Sequence, residues 1–367
     1  MIYLDNGATS LHKPREVMLA MNRAMEHCAN PGRGGYGASL RASEVVYRTR
    51  ELAGELFGCM PEQVAFTGSC THGLNIALRT MVKPGDRVLI SGFEHNAVTR
   101  TLHGLGAKMV VAGRKLFDPA DTLEAFRKGL RQGVDSAVFT HVSNVFGYIL
   151  PVAQMADLCR QYGVRFAVDA AQSAGMLEVD LRSLGADFIA MPGHKGLLGP
   201  QGTGLLLCGR DPEPLLMGGT GSDSASVQMP AFLPDRLEAG TLNVPGIAGL
   251  GAGLQWLKRQ GIQNIFRREQ VQARRCAEGL QKLGKRVFFG ENQGGTVSFV
   301  PNGDAEEVAR RLGERGIAVR AGLHCAPLAH ESAGTLQSGT VRISFGHDAA
   351  PYQTEALLRA VKDVDVM

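Results

Sequence analysis

The sequence has little net charge: Lys and Arg total 39 against 35 Asp and Glu, a formal +4. An excess this small, spread along the chain, argues against nucleic acid or an anionic membrane as a main partner. The densest basic group, Arg267, Arg268, Arg274 and Arg275, falls on helical spacing and reads as a solvated helix face. Long hydrophobic runs are also missing. No uninterrupted apolar stretch approaches the ~20 residues needed to span a bilayer, so no membrane insertion is expected. The first ten residues, MIYLDNGATS, lack a basic segment followed by an apolar one, so no secretory signal is expected there and a cytoplasmic location is. Cysteines number seven, an odd count without a CxxC pair. That excludes a disulfide or zinc framework, fits a reducing compartment, and leaves thiols free for chemistry. Internal repeats, low-complexity segments, GxGxxG and the Walker pattern are absent, which counts against solenoids and against dinucleotide or ATP binding.

What is present is an ordinary globular composition, 44% hydrophobic and 20% charged over 367 residues. That length suggests two domains. Between about 45 and 250, apolar runs at 63–67, 87–90, 136–141, 164–169 and 187–191 read as buried strands, separated by helical segments such as 151–162. This alternation predicts an α/β fold, a mostly parallel sheet covered by helices on both faces. In such sheets the ligand lies outside the carboxyl ends of the strands. Those ends carry Thr71 and His72, Glu94 and His95, His141 and Asn144, Asp169 and Gln172, and His194 and Lys195. Beyond a glycine-rich, tightly packed helix start at 246–253 the pattern changes. A long basic helix runs to about 283, followed by strands near 287, 296–300, 317–320 and 340–345, a helix at 304–314 and a last helix from 352. The expected division is a large ligand-binding α/β domain at 16–250 and a smaller α+β domain made of 1–15 and 251–367, with 230–245 an irregular connector.

Four features at the strand ends carry chemistry. Lys195 sits in Pro192-Gly193-His194-Lys195-Gly196, where desolvation is costly unless the amine is paired or used covalently as a Schiff base; an exposed loop lysine is the plainer reading. Asp169 ends a strand and needs a cationic partner such as a protonated pyridine ring, or else caps a helix. Gly68-Ser69-Cys70-Thr71-His72-Gly73 joins a strand to a helix, a geometry whose free N–H groups cradle an anion such as phosphate. His95 is placed to stack on a planar ligand and shuttle protons, or to serve as a hydrogen-bonded structural residue.

In this order, together with Tyr3-Leu4-Asp5-Asn6-Gly7-Ala8-Thr9, Glu94-His95-Asn96, Thr140-His141-Val142-Ser143-Asn144, Val168-Asp169-Ala170-Ala171-Gln172, Gly193-His194-Lys195, Glu238-Ala239-Gly240-Thr241 and Arg320-Ala321-Gly322-Leu323-His324-Cys325-Ala326, the chain resembles the class-V aminotransferase superfamily. Within it, the resemblance is to the cysteine desulfurase and selenocysteine lyase family, across nearly the whole chain. The resemblance implies the fold type I of pyridoxal 5'-phosphate enzymes. Lys195 would carry the cofactor, Asp169 would pair with its ring nitrogen and His95 would stack on the ring. Gln172 would bond the phenolic oxygen, and Asn144 would face that oxygen or the substrate carboxylate. Cys70, Thr71 and His194 would bind the phosphate, joined by Thr241 from the partner subunit of a homodimer. Arg342 would clamp the substrate carboxylate with Arg320 close by, a task that suits guanidinium geometry.

Cys325 aligns with the sulfur-accepting cysteine, in a short segment resembling the group with a compact, ordered cysteine loop. Arg320 and His324 are expected to favour its thiolate. The other cysteines outside the cradle read as small hydrophobes. A metal site from His324, Cys325 and His330 lacks a fourth ligand and proper spacing, so no metal is expected. Pro192 stands where many relatives carry a hydroxyl for phosphate, Cys70 where many carry threonine, and Tyr36 where some carry histidine. The activity implied is conversion of L-cysteine to L-alanine with a persulfide left on Cys325 for an acceptor protein. The alternatives are a lyase acting on L-selenocysteine and a catalytically quiet sulfur-transfer scaffold.

Overall fold

The computed structural model describes residues 1–32 and 34–365. A two-residue strand β1 (Ile2–Tyr3) precedes two helices, Arg15–His27 and Gly37–Leu56. There follow β2 (Val64–Thr67), β3 (Arg87–Ser91), β4 (Lys108–Ala112), β5 (Ser136–Thr140), β6 (Arg165–Asp169), β7 (Phe188–Pro192) and β8 (Gly204–Cys208), which form one seven-stranded sheet in the order β2-β8-β7-β6-β5-β3-β4. Neighbours from β4 to β7 pair in parallel, and β8 pairs antiparallel with both β7 and β2, so β8 alone runs against the rest. Thr67, Ser91, Thr140, Asp169 and Pro192 therefore all end at one edge of the sheet.

The central strands are buried along their whole length, as expected where helices cover both faces. Phe139 and Phe166 stack across β5 and β6 with ring centroids 5.6 Å apart. Of these strands, β4 and β8 escape the sequence pattern. β4 is an edge strand with Lys108 and Met109 exposed. β8 begins inside the glycine-rich run after Lys195, which masks its apolar stretch.

The helix Val244–Gln260 is the tightly packed one expected from its glycines. A Cβ on Gly253 would strike the Leu197 carbonyl, and one on Gly249 would strike Met21. This helix thereby backs the loop that carries Lys195. After the long helix Ile262–Lys282 come β9 (Arg286–Phe288), β10 (Thr296–Val300), β11 (Ile317–Ala318), β12 (Arg320–Gly322) and β13 (Thr340–Ser344). The sheet β12-β13-β10-β9 is antiparallel, whereas β11 pairs with β1. The stretch expected as one strand at 317–320 is thus two, divided at Val319 and belonging to different sheets. A separate apolar cluster here joins Leu4 to Ala273, Phe299, Leu312, Ile343 and Leu357. Among the described residues no helix is long and apolar enough to cross a membrane.

Candidate active site

A cavity at the carboxyl edge of the sheet is lined by Cys70, Thr71, His95, Asn144, Asp169, Gln172, Pro192, His194 and Lys195. All the pocket residues expected on one chain meet there. Thr241 does not; it lies exposed on the connector after Glu238. The buried, bidentate Arg50–Glu238 pair ties that connector to β2, because Glu238 also accepts the Phe66 amide at 2.7 Å.

The floor is built by topology. Ser69 caps the helix Cys70–Met81 by accepting the His72 amide. The amides of Cys70 and Thr71, first in that helix, have no acceptor among the described residues. Such amides, at the positive end of a helix dipole, bind anions. Asp169 is 3% exposed at the end of β6, and its Oδ1 accepts the Ala171 amide at 2.8 Å and the Cys70 thiol at 3.5 Å. Its Oδ2 meets no protein donor among the described residues. The Cys70 side chain therefore serves Asp169, and only its backbone amide faces the anion cradle; burial and the neighbouring carboxylate push the thiol well above its ordinary range.

Lys195 leaves β7 by a turn whose glycines allow close contacts. A Cβ on Gly193 would strike Thr203, and one on Gly196 would strike the Ala174 carbonyl. Burial lowers the Lys195 pKa, and the Asp169 charge opposes this. The preceding carbonyl, of His194, accepts from Thr9 Oγ1 at 3.1 Å and Ser10 Oγ at 3.0 Å. Burial likewise lowers His95 and takes His194 down to about 4, so both are neutral at pH 7. His95 Nδ1 accepts the Ala97 amide, which puts any proton of the neutral ring on Nε2. Gln172 donates to the Gly7 carbonyl at 3.0 Å.

Glu94, which the motif reading left without a role, is fully buried beside this floor. Its Oε1 accepts the Thr140 amide at 2.9 Å, joining the ends of β3 and β5, and burial raises its pKa to about 8. A charge sitting in the strand-end motif without a nearby arginine or lysine in sequence was the available signal.

The facing wall comes from β12, β13 and the loop between them. Arg342 is 2% exposed and lies directly opposite Arg320, which is exposed. Its Nη1 donates to the Asn144 carbonyl at 3.0 Å and its Nη2 to Asp5 Oδ1 at 2.5 Å. Its Nε is buried with no acceptor among the described residues, a state that costs about 1–3 kcal/mol. Cys325 is exposed. The loop is pinned to the pocket by two bonds: Asn144 Nδ2 donates to the His324 carbonyl at 2.8 Å and the Asn96 amide to the Cys325 carbonyl at 2.7 Å. The expectation that His324 supports a thiolate is corrected. Its ring points inward, 3.3 Å from Thr340 Oγ1 and 5.8 Å from the His330 ring, and burial drives its pKa down to about 2. A neutral imidazole facing the core lends no positive charge to Cys325. Among the described residues no group of three or more His, Cys, Asp or Glu is placed to hold a metal.

Residues 2–357 match the Aminotransferase class-V family model. A probable cysteine desulfurase of Methanothermobacter thermautotrophicus is 34% identical, covering 92% of this chain and 89% of the relative. Another, of Pyrococcus abyssi, is 33% identical over 94% of this chain and 89% of its own length. The solved apo cysteine desulfurase of Thermococcus onnurineus superposes with a TM-score of 0.91 at 32% identity, covering 99% of this chain and 94% of that one. The S-sulfonic acid form of a cysteine desulfurase from Escherichia coli gives 0.85 at 26% identity, covering 99% and 94%. With that fold, that strand-end lysine and aspartate, and a cysteine loop pinned across from them, the chain belongs to the class-V aminotransferase family, in its cysteine desulfurase branch.

Proposed function

We propose that the protein is a pyridoxal phosphate-dependent cysteine desulfurase that converts L-cysteine to L-alanine and leaves a persulfide on Cys325. The observation that carries this is the pinning of the Cys325 loop, through Asn144 and the amide after His95, to the same pocket that holds Lys195 and Asp169.

The pocket's donor set suits the cofactor. The two unpaired amides of Cys70 and Thr71 fit a phosphate, with the His194 side chain beside them. The free Oδ2 of Asp169 suits a protonated ring nitrogen, and Lys195 has an amine for covalent attachment. Bound there, pyridoxal phosphate supplies an electron-withdrawing ring that stabilises negative charge at the substrate Cα. His95, Gln172 and Asn144 line the same cavity; His95 would stack on that ring, and Gln172 and Asn144 would hold its phenolic side or the substrate. Arg342 holds the substrate carboxylate, with Arg320 adding positive charge at the entrance. Lys195, its pKa lowered by burial, moves the Cα proton, as a positioned base of tuned pKa does. The Cys325 thiolate attacks the substrate sulfur: an S–S bond forms to Cys325 Sγ, the substrate Cβ–S bond breaks, and Cβ gains a proton as alanine.

Exposure of Cys325 suits transfer of its outer sulfur to an acceptor protein. Apolar side chains left exposed on the helix Gly37–Leu56, Leu40 and Tyr47, in the connector, Phe232, and before it, Met217, support a homodimer in which Thr241 serves the partner's phosphate site. All seven cysteines are unpaired, which favours a cytoplasmic setting. We likewise divide the chain into the large domain 16–250 and the small domain of 1–15 and 251–367; the separate cluster around Leu4, Phe299 and Ile343 supports this.

The test is incubation with L-cysteine without reductant, followed by peptide mass mapping. One extra sulfur on the Cys325 peptide, with alanine released, is expected. Sulfur on another cysteine overturns the nucleophile, and turnover of selenocysteine alone assigns the selenocysteine lyase activity instead.

A further inference from the structure

Residues 3–9 run between the two walls of the pocket and bond to both. On the small-domain side the Gly7 amide donates to Ser344 Oγ at 2.7 Å, and the Asn6 amide to the Ser344 carbonyl at 3.3 Å. On the other side, the Gly7 carbonyl holds Gln172 and Thr9 holds the His194 carbonyl beside Lys195. The backbone fits so tightly that a Cβ on Gly7 would sit 3.2 Å from the Arg342 guanidinium carbon. The Tyr3 hydroxyl closes the turn by donating to the Thr9 carbonyl at 2.8 Å.

Arg342 is 2% exposed and already carries a carboxylate. It lines neither of the cavities around Lys195, its Nε is sealed from solvent with no acceptor among the described residues, and the carboxylate on its Nη2 is that of Asp5. A guanidinium facing Arg320 across the strand pair needs an anion when substrate is absent, since an unpaired buried charge is strongly unfavourable. Asp5, by contrast, retains partial exposure, 19% of its side chain, so it has a route to water.

We propose that Asp5 is the resident carboxylate of Arg342, holding the guanidinium neutralised and in place until the α-carboxylate of the incoming amino acid takes over its Nη2 contact and frees the Asp5 side chain. Asp5 is thus a positioning residue that sets the affinity for substrate. This rests on the assignment of Arg342 as the carboxylate clamp.

Steady-state kinetics on the holoenzyme test it through a double-mutant cycle. Asp5→Asn keeps the shape of the side chain and removes its charge; KM for L-cysteine is expected to fall three- to tenfold. Arg342→Ala is expected to raise KM at least tenfold, and Asp5→Asn added to it is expected to have no further effect. An unchanged or higher KM in Asp5→Asn overturns the resident carboxylate while leaving the clamp intact. An unchanged KM in Arg342→Ala overturns the clamp itself.

Discussion

Lys195 and Cys325 both leave regular structure through a tight turn, but the turns are made differently. Around Lys195 the close approaches fall on glycines, Gly193 and Gly196, which have no side chain to clash. At the other turn the residues themselves take left-handed backbone, His324 at φ 49° and Cys325 at φ 56°. Neither has a glycine's freedom, and each costs about 1–3 kcal/mol unless surrounding contacts enforce it. Those contacts are the buried His324 ring and the two carbonyl bonds to Asn144 and Asn96. The Lys195 turn thus combines glycines at its close approaches with bonds from Thr9 and Ser10 and one left-handed residue, Leu198 at φ 59°, whereas the Cys325 turn has its reactive residue itself in left-handed backbone, held there by tertiary contacts.

Damage to the floor is expected to be the most severe. Lys195→Ala should lower alanine formation by about 10²- to 10⁴-fold or more, the usual contribution of a positioned base; borohydride reduction of the wild type should fix the cofactor to Lys195, and peptide mapping checks this. Gly253→Ala pushes the helix Val244–Gln260 against the Leu197 carbonyl, two residues beyond Lys195. Overpacking of this kind costs about 1–3 kcal/mol, visible as a lower Tm and weaker cofactor retention.

The wall responds to pH. His324 is held neutral in the folded protein, its pKa about 2 against an ordinary 6.5, so the unfolded chain binds more protons below pH 6.5. Stability from this group is full above pH 6.5 and is lost as pH falls, by about 1.4 kcal/mol per pH unit. His330 and His141, both lowered to about 4 by burial, add to the slope down to that pH. His324→Asn, which tolerates left-handed backbone, should flatten the acid limb by roughly one proton in denaturation measured from pH 7 to 5. A smaller difference separates two variants of the strained position itself: Cys325→Gly should be more stable than Cys325→Ala by about 1 kcal/mol, because glycine adopts φ 56° freely.

The same contrast decides what was legible in the sequence. Buried strands such as β5 and β6 are continuous apolar runs that end in polar residues, so the strand-end placement of Asn144, Asp169 and Lys195 follows from local pattern. β4 was hidden by its exposed charged start and β8 by the glycines before it. The division at Val319 depends on which strand each half pairs with, and β1 finds its partner at Ile317, pairings that leave no local signal. The contact between Asp5 and Arg342 spans 337 residues, and the inward turn of His324 depends on Thr340 and His330. Resemblance supplied the roles of Arg342 and Cys325; only the fold shows what holds them.

Cys325→Ala tests most directly whether floor and wall divide the chemistry as described. Cα proton transfer needs Lys195 and the carboxylate clamp, whereas sulfur removal needs the thiolate. Incubated with L-cysteine in deuterium oxide, the variant should form no alanine while solvent deuterium still enters Cα of the recovered cysteine. Desulfuration at the wild-type rate, or loss of Cα exchange together with alanine formation, would contradict that division.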